Sequence, residues 1–254
     1  MNYTRIALLL GLCLAGSAHA QAPAEMDSRA LGVLETMGRY LHALPHYALS
    51  AESATDQTLE TGQVVEFHHR TDVLTVHPDK LHVSVDQGTS ARQFFYDGKS
   101  FTLYDGHYGY YTNGPAPATI DALLDDIADR YGIELPLSDL FRWGPTTAKD
   151  VGISEALVIG DERLGAYTCT HYAYRQPDID WQLWVRTGPD PLPCRLVITR
   201  RDTPELPRHS VDFNWDLKAQ IPANTFTFIP PAKAQQVPLR VIQAPVPAPA
   251  GEQP

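Results

Sequence analysis

Positive charge and cysteine are both scarce in this chain, and no apolar run is long enough to cross a bilayer. Across 254 residues, 20 Lys and Arg face 30 Asp and Glu. An acid-rich surface repels phosphate backbones and anionic headgroups, so nucleic-acid binding through a basic patch is disfavoured. A transmembrane helix needs about 20 apolar residues; the run from Ile6 to Ala15 falls short, and no other stretch reaches that length. Signatures of catalysis are missing as well. There is no phosphate-cradling Gly-rich loop, no dinucleotide fingerprint and no His-Glu-x-x-His. The segment Gly152-Ile-Ser154-Glu-Ala156 lacks the second glycine of a nucleophile elbow. The three cysteines have no zinc spacing. These absences nominate no catalytic residue, no metal and no cofactor, and the chain is expected not to be an enzyme.

What is present begins with a leader. Arg5 supplies a positive start, Ile6 to Ala15 an apolar run, and Ala18-His19-Ala20 a small-x-small cleavage site. Cleavage is expected after Ala20, delivering the chain out of the cytoplasm. Cys13 follows Leu12 rather than a small residue, which argues against a lipobox. Loss of Arg5 with the leader leaves 19 basic residues against 30 acidic ones, a net charge of −11. Cys169 and Cys194 remain. An oxidising compartment and an even count favour a disulfide. Their expected places on the first and third strands of one meander set them about 9.6 Å apart, beyond the roughly 7 Å that a bridge tolerates. Both outcomes stay open.

Hydrophobic spacing then divides the chain. Residues 26–44 carry Met26, Ala30, Val33, Leu34, Met37, Tyr40, Leu41 and Leu44 on one helical stripe, stopped by Pro45. From Tyr47 the period becomes two, predicting strands around 47–58, 62–77 and 80–87, then 92–97, 100–105 and 108–112. Asp97-Gly98 and Asp105-Gly106 are expected to supply the positive φ of tight turns. Ile120 to Tyr131 is a second helix with Thr119 as N-cap, its acidic side a solvated face, and a short helix is expected over 138–143. Strands are expected at 158–160, 166–174, 181–186, 194–200 and 209–217, and a Pro/Ala-rich disordered tail over 238–254. One domain, residues 21–237, takes up the rest. The order excludes a repeated βαβ pattern and favours an α+β fold, an antiparallel sheet curled around one long helix and a small helical insertion.

Histidine is the abundant reactive side chain, but it forms no signature. His68 and His69 point to opposite faces, Pro45 separates His42 from His46, and His171 two residues from Cys169 is expected to be structural. Aromatic density stands out: Phe94, Phe95, Tyr96, Phe101, Tyr104, Tyr108, Tyr110 and Tyr111 crowd two hairpins. Cross-strand core packing and an apolar cavity for a lipid or acyl chain both account for it.

Several segments resemble a family of predicted periplasmic proteins of unknown function. They are Phe95-Tyr96-Asp97-Gly98-Lys99, Leu103-Tyr104-Asp105, Tyr131-Gly132-Ile133-Glu134-Leu135-Pro136-Leu137, Cys169-Thr-His171-Tyr-Ala-Tyr-Arg175, Asp180-Trp181-Gln182-Leu183-Trp184-Val185 and Phe226-Thr-Phe228-Ile-Pro230. The resemblance covers roughly residues 28–235. It implies the fold of the LolA and LppX-type lipoprotein carriers, an unclosed half-barrel with a hydrophobic cavity, and a periplasmic location. No activity comes with it. The expectation is a soluble carrier or chaperone for a lipid, acyl chain or lipoprotein, with Phe95, Phe101, Tyr104, Trp181, Leu183 and Phe213 lining the cavity. The alternative is a protein-binding sensor module in envelope stress signalling, with an envelope protein as partner.

Overall fold

A computed structural model describes residues 26–86, 88, 91–143 and 152–241. The expected leader and most of the expected tail lie outside the described residues.

Helix α1 (Ser28–Ala43) starts where Asp27 accepts a hydrogen bond from Arg29 N through its side chain. It ends at Leu44, which takes extended geometry ahead of Pro45. Its inward stripe buries Ala30, Met37 and Leu41. Six strands follow: β1 (His46–Thr58), β2 (Val64–Val76), β3 (Lys80–Asp86), β4 (Ala91–Tyr96), β5 (Ser100–Asp105) and β6 (Tyr110–Pro115). The helical insertion is α2 (Ile120–Tyr131) and α3 (Asp139–Arg142). Five more strands then run as β7 (Glu155–Leu164), β8 (Tyr167–Arg175), β9 (Ile179–Arg186), β10 (Pro193–Arg200) and β11 (Arg208–Asp216), and a short β12 (Gln235–Gln236) ends the sheet.

The order across the sheet is β12-β6-β5-β4-β3-β2-β1-β11-β10-β9-β8-β7. Two antiparallel meanders, β1–β6 and β7–β11, are thus stitched together by β1 against β11. The curved sheet stays unclosed, with β7 and β12 at its two edges. Among the described residues every pair of these strands is antiparallel except β12 with β6, and Met26 adds a parallel bridge to Ala156 of β7. The expected elements are all present, with β7 longer than predicted and β12 an addition.

The two Asp-Gly turns differ. Gly98 has φ +89°, as expected, and Asp97 Oδ1 accepts from Lys99 N and Ser100 N. In the second turn the positive φ falls on Gly109 instead, at +69°. Gly106 serves a close approach: a Cβ there would lie 2.8 Å from Ala91 O.

Residues paired in register share a face, and the register builds an inner wall. Tyr47, Thr75, Leu81, Tyr96 and Phe101 form one row. Trp215, Leu49, Val73, Val83, Phe94 and Leu103 form the next. The helices lie on this face. Tyr174 Oη donates to Ala30 O (2.7 Å), Tyr96 Oη to Pro117 O (2.6 Å), and Tyr131 packs on Phe101. Ile120 N donates to Pro78 O, which fixes α2 beside the β2–β3 turn.

Candidate functional site

The inner face is walled by aromatic rings from one end of the sheet to the other. Phe94 stacks on Phe101 at 5.7 Å, Tyr47 meets Trp215 edge-on at 5.2 Å, Phe213 lies 6.3 Å from Trp215, and Tyr174 stacks on Trp181 at 4.0 Å. Four of the six nominated lining residues, Phe101, Trp181, Leu183 and Phe213, belong to this wall and are buried. Phe95 and Tyr104 do not join them. They stand on the outer face, where Phe228 packs at 5.3 Å and 5.2 Å from their rings. Phe94, Tyr96, Tyr47 and Trp215 take inner places that the nominated set lacked.

The cover thins at the end of the sheet that carries the β1–β2 hairpin. There one register row reads Tyr174, Trp181, Ile198, His209, Thr55 and Phe67. Phe67 is 46% exposed, while Ile198 and Tyr172 are half-buried against the core. Thr55 Oγ1 and His209 Nδ1 are hydrogen-bonded at 2.8 Å. Burial and the neighbouring His69 hold the His209 imidazole below its ordinary pKa. Trp181 is 8% exposed, and its indole Nε1 meets no hydrogen-bond partner among the described residues.

At the opposite end, His77 lies beneath α3, within electrostatic reach of His42. His77 lies 6.1 Å from the Tyr47 ring and 6.3 Å from that of Phe141. Desolvation and His42 lower its pKa, and Asp121 opposes them. His82 is apart from this group, on the outer face against Phe95 at 4.6 Å. Among the described residues, no three His, Cys, Asp or Glu are arranged to hold a metal ion. No described helix is long and apolar enough to cross a membrane.

The outer face carries its own small cluster. Cys169 and Cys194 are joined by a disulfide with Cα atoms 6.8 Å apart. The strand spacing that argued against a bridge is shortened by a register shift between Pro193 and Arg195, which throws Cys194 out of the ladder. Trp184 and Val197 pack with the bridge. His171 stacks on Trp184 at 4.0 Å, and its Nδ1 meets Glu162 Oε1 at 2.9 Å. The second oxygen of Glu162 accepts from Trp184 Nε1 at 3.1 Å. His171 therefore serves packing beside a cysteine that is already bonded. A depression of about 240 Å³ over β11, β1 and β2 is bordered by Arg70, which Asp72 and Glu52 engage.

Three solved structures are similar to this chain. LprF from Mycobacterium bovis is 12% identical, with 78% of this chain and 98% of that one covered at a TM-score of 0.43. The lipoprotein LppX from Mycobacterium tuberculosis is 11% identical, with 78% and 100% covered at 0.42. A LolA superfamily protein from Nitrosomonas europaea is 12% identical, with 78% and 97% covered at 0.36. No curated protein matches the chain. Residues 30–240, almost the whole of the described sheet and its helices, match the family described as "Predicted periplasmic protein (DUF2092)", and the chain belongs to that family, which places it in the periplasm.

Proposed function

We propose that this protein is a periplasmic carrier or chaperone that holds an apolar chain, from a lipid or a lipoprotein, between its curved sheet and its helices. The observation that carries this reading is the inner wall itself. It is apolar and aromatic across the sheet, and at the hairpin end it runs out to side chains that the helices leave half-covered, among them Phe67, Ile198 and Tyr172. Phe101, Trp181, Leu183 and Phe213 would contact the cargo. The buried indole N–H of Trp181, which meets no acceptor among the described residues, would donate to an ester or carboxyl oxygen at the head of the chain.

The energetics suit a reversible carrier. Burying each methylene contributes about 0.8 kcal/mol, so an acyl chain of about 16 methylenes contributes about 13 kcal/mol, of the same order as the roughly 4–15 kcal/mol of lost freedom. Lipid extraction and native mass spectrometry of protein purified from its own envelope test the reading. A co-purifying amphiphile at near unit stoichiometry is expected. A ligand-free protein that also fails to bind a fluorescent fatty acid overturns it.

A further inference from the structure

After β11 the chain crosses the outer face as a strap. Phe226 is buried there, and a short turn at Ala223–Phe226 lies against β3. Phe228 then seats among Phe95, Tyr104 and Tyr111, at 5.3, 5.2 and 5.1 Å. Beyond Pro230-Pro231 the strap turns along the free side of β6: Gln235 N donates to Gly109 O and Val237 N to Tyr111 O, both at 2.8 Å, while Gln236 Nε2 donates to Asn113 Oδ1 at 3.0 Å. It then hooks over the edge of the sheet. Leu239 packs against the main core, in a notch made by Gly114. A Cβ at Gly114 would stand 3.0 Å from Leu239 Cδ2 and 3.1 Å from Phe101 Cε1.

The two halves of this strap are held unequally. Phe226 and Phe228 are anchored by rings and burial. The hook is held by a two-residue strand, the Gln236–Asn113 hydrogen bond and one leucine, and Val237 is 37% exposed. Two ladder residues make a weak strand. The seat of Leu239, in contrast, is built from the core itself. Its floor is Phe101, fully buried and flanked by Phe94 and Tyr131, and its open side is the missing side chain of Gly114. A branched four-carbon side chain fills it, and a methylene chain has the same chemistry and a slimmer section.

We propose that this edge slot is a binding site for a linear alkyl chain, occupied in the resting protein by its own Leu239. The strap end is then an internal competitor: an alkyl chain that enters over the β6 edge displaces residues 235–239 and reaches the inner wall at Phe101. The nature of the occupant rests on the carrier reading above; the geometry of the hook does not.

The test is stopped-flow association of a dansyl-labelled undecanoic acid with three proteins: the full chain, Leu239→Ser, and a chain ending at Ala234 that keeps both phenylalanine anchors. Association at least tenfold faster in both altered proteins is expected, and saturating the full chain with the probe should speed amide exchange at Gln235 and Val237. Binding at one common rate, with exchange unchanged, overturns the slot and leaves the carrier reading standing. Absence of binding to all three overturns both. The Leu239→Ser variant keeps the full strap, so a folding defect in the truncated chain does not decide the result.

Discussion

Phe94 and Phe95 are neighbours in the chain and belong to opposite sides of the protein. Phe94 faces the helices; Phe95 lies under the strap with Phe228. Where both parities of a strand are aromatic, alternation cannot say which is inward, and this is why Phe95 and Tyr104 were grouped with Phe101 on sequence grounds. Trp181, Leu183 and Val185, by contrast, are all buried on the inner face. The outer positions Asp180 and Gln182 are polar there, although Trp184 is not. Two consequences follow at this scale. Leu183 has no exposed surface, so Leu183→Ala should destabilise the fold by about 2–5 kcal/mol in denaturant titration and weaken acyl-chain binding at the same time. Tyr174 ties the sheet to α1 through its buried hydroxyl, whose pKa burial drives far up. Tyr174→Phe should leave Ala30 O without that donor and lower stability by about 1 kcal/mol, seen as a fall in Tm without loss of secondary structure.

Among the elements, helices and hairpins were legible because each carries its own local signal. Thr119 caps α2 by accepting from Ala122 N, as expected, and Gly132 ends it in left-handed geometry directly after Tyr131. Thr119→Ala should cost about 1 kcal/mol by chemical denaturation. The elements missed were those whose reason for existing is elsewhere. β12 has two residues and no pattern, and forms only because β6 offers an unpaired edge. The disulfide depended on a register shift at Cys194 that no spacing rule reveals. With its cysteines 25 positions apart, replacing both by alanine should cost about 3 kcal/mol, read as a lower urea midpoint that reducing agent no longer moves. The β1–β11 seam was equally hidden, since 160 or so residues separate its halves and pairing partners leave no mark on one another's composition.

Over the whole molecule the notable titration is that of buried histidine. His77, His82 and His209 are all held below their ordinary pKa, chiefly by burial. As pH falls below about 6.5, the unfolded chain therefore takes up protons before the folded one. Their contribution to stability is intact above that pH and is lost as pH falls through the folded-state values. The urea midpoint should decline between pH 7 and pH 5.5, and a His77→Gln, His82→Gln double variant should show a shallower decline. An unchanged slope would mean that these side chains are hydrated in solution.

The seam between the two meanders also sets the order in which the protein can be made. β1 is finished early, yet its partner β11 ends at Asp216, so the middle of the sheet stays an open edge until most of the chain has been delivered. Such non-local pairing makes folding slow, and an unpaired strand edge invites association with other chains. Export in the N-to-C direction would leave the first meander waiting, with its aromatic inner wall uncovered, for a strand still on the far side of the membrane. A circular permutant that places β11 directly before β1 would remove that wait, and it should fold faster and aggregate less than the natural order, at similar final stability.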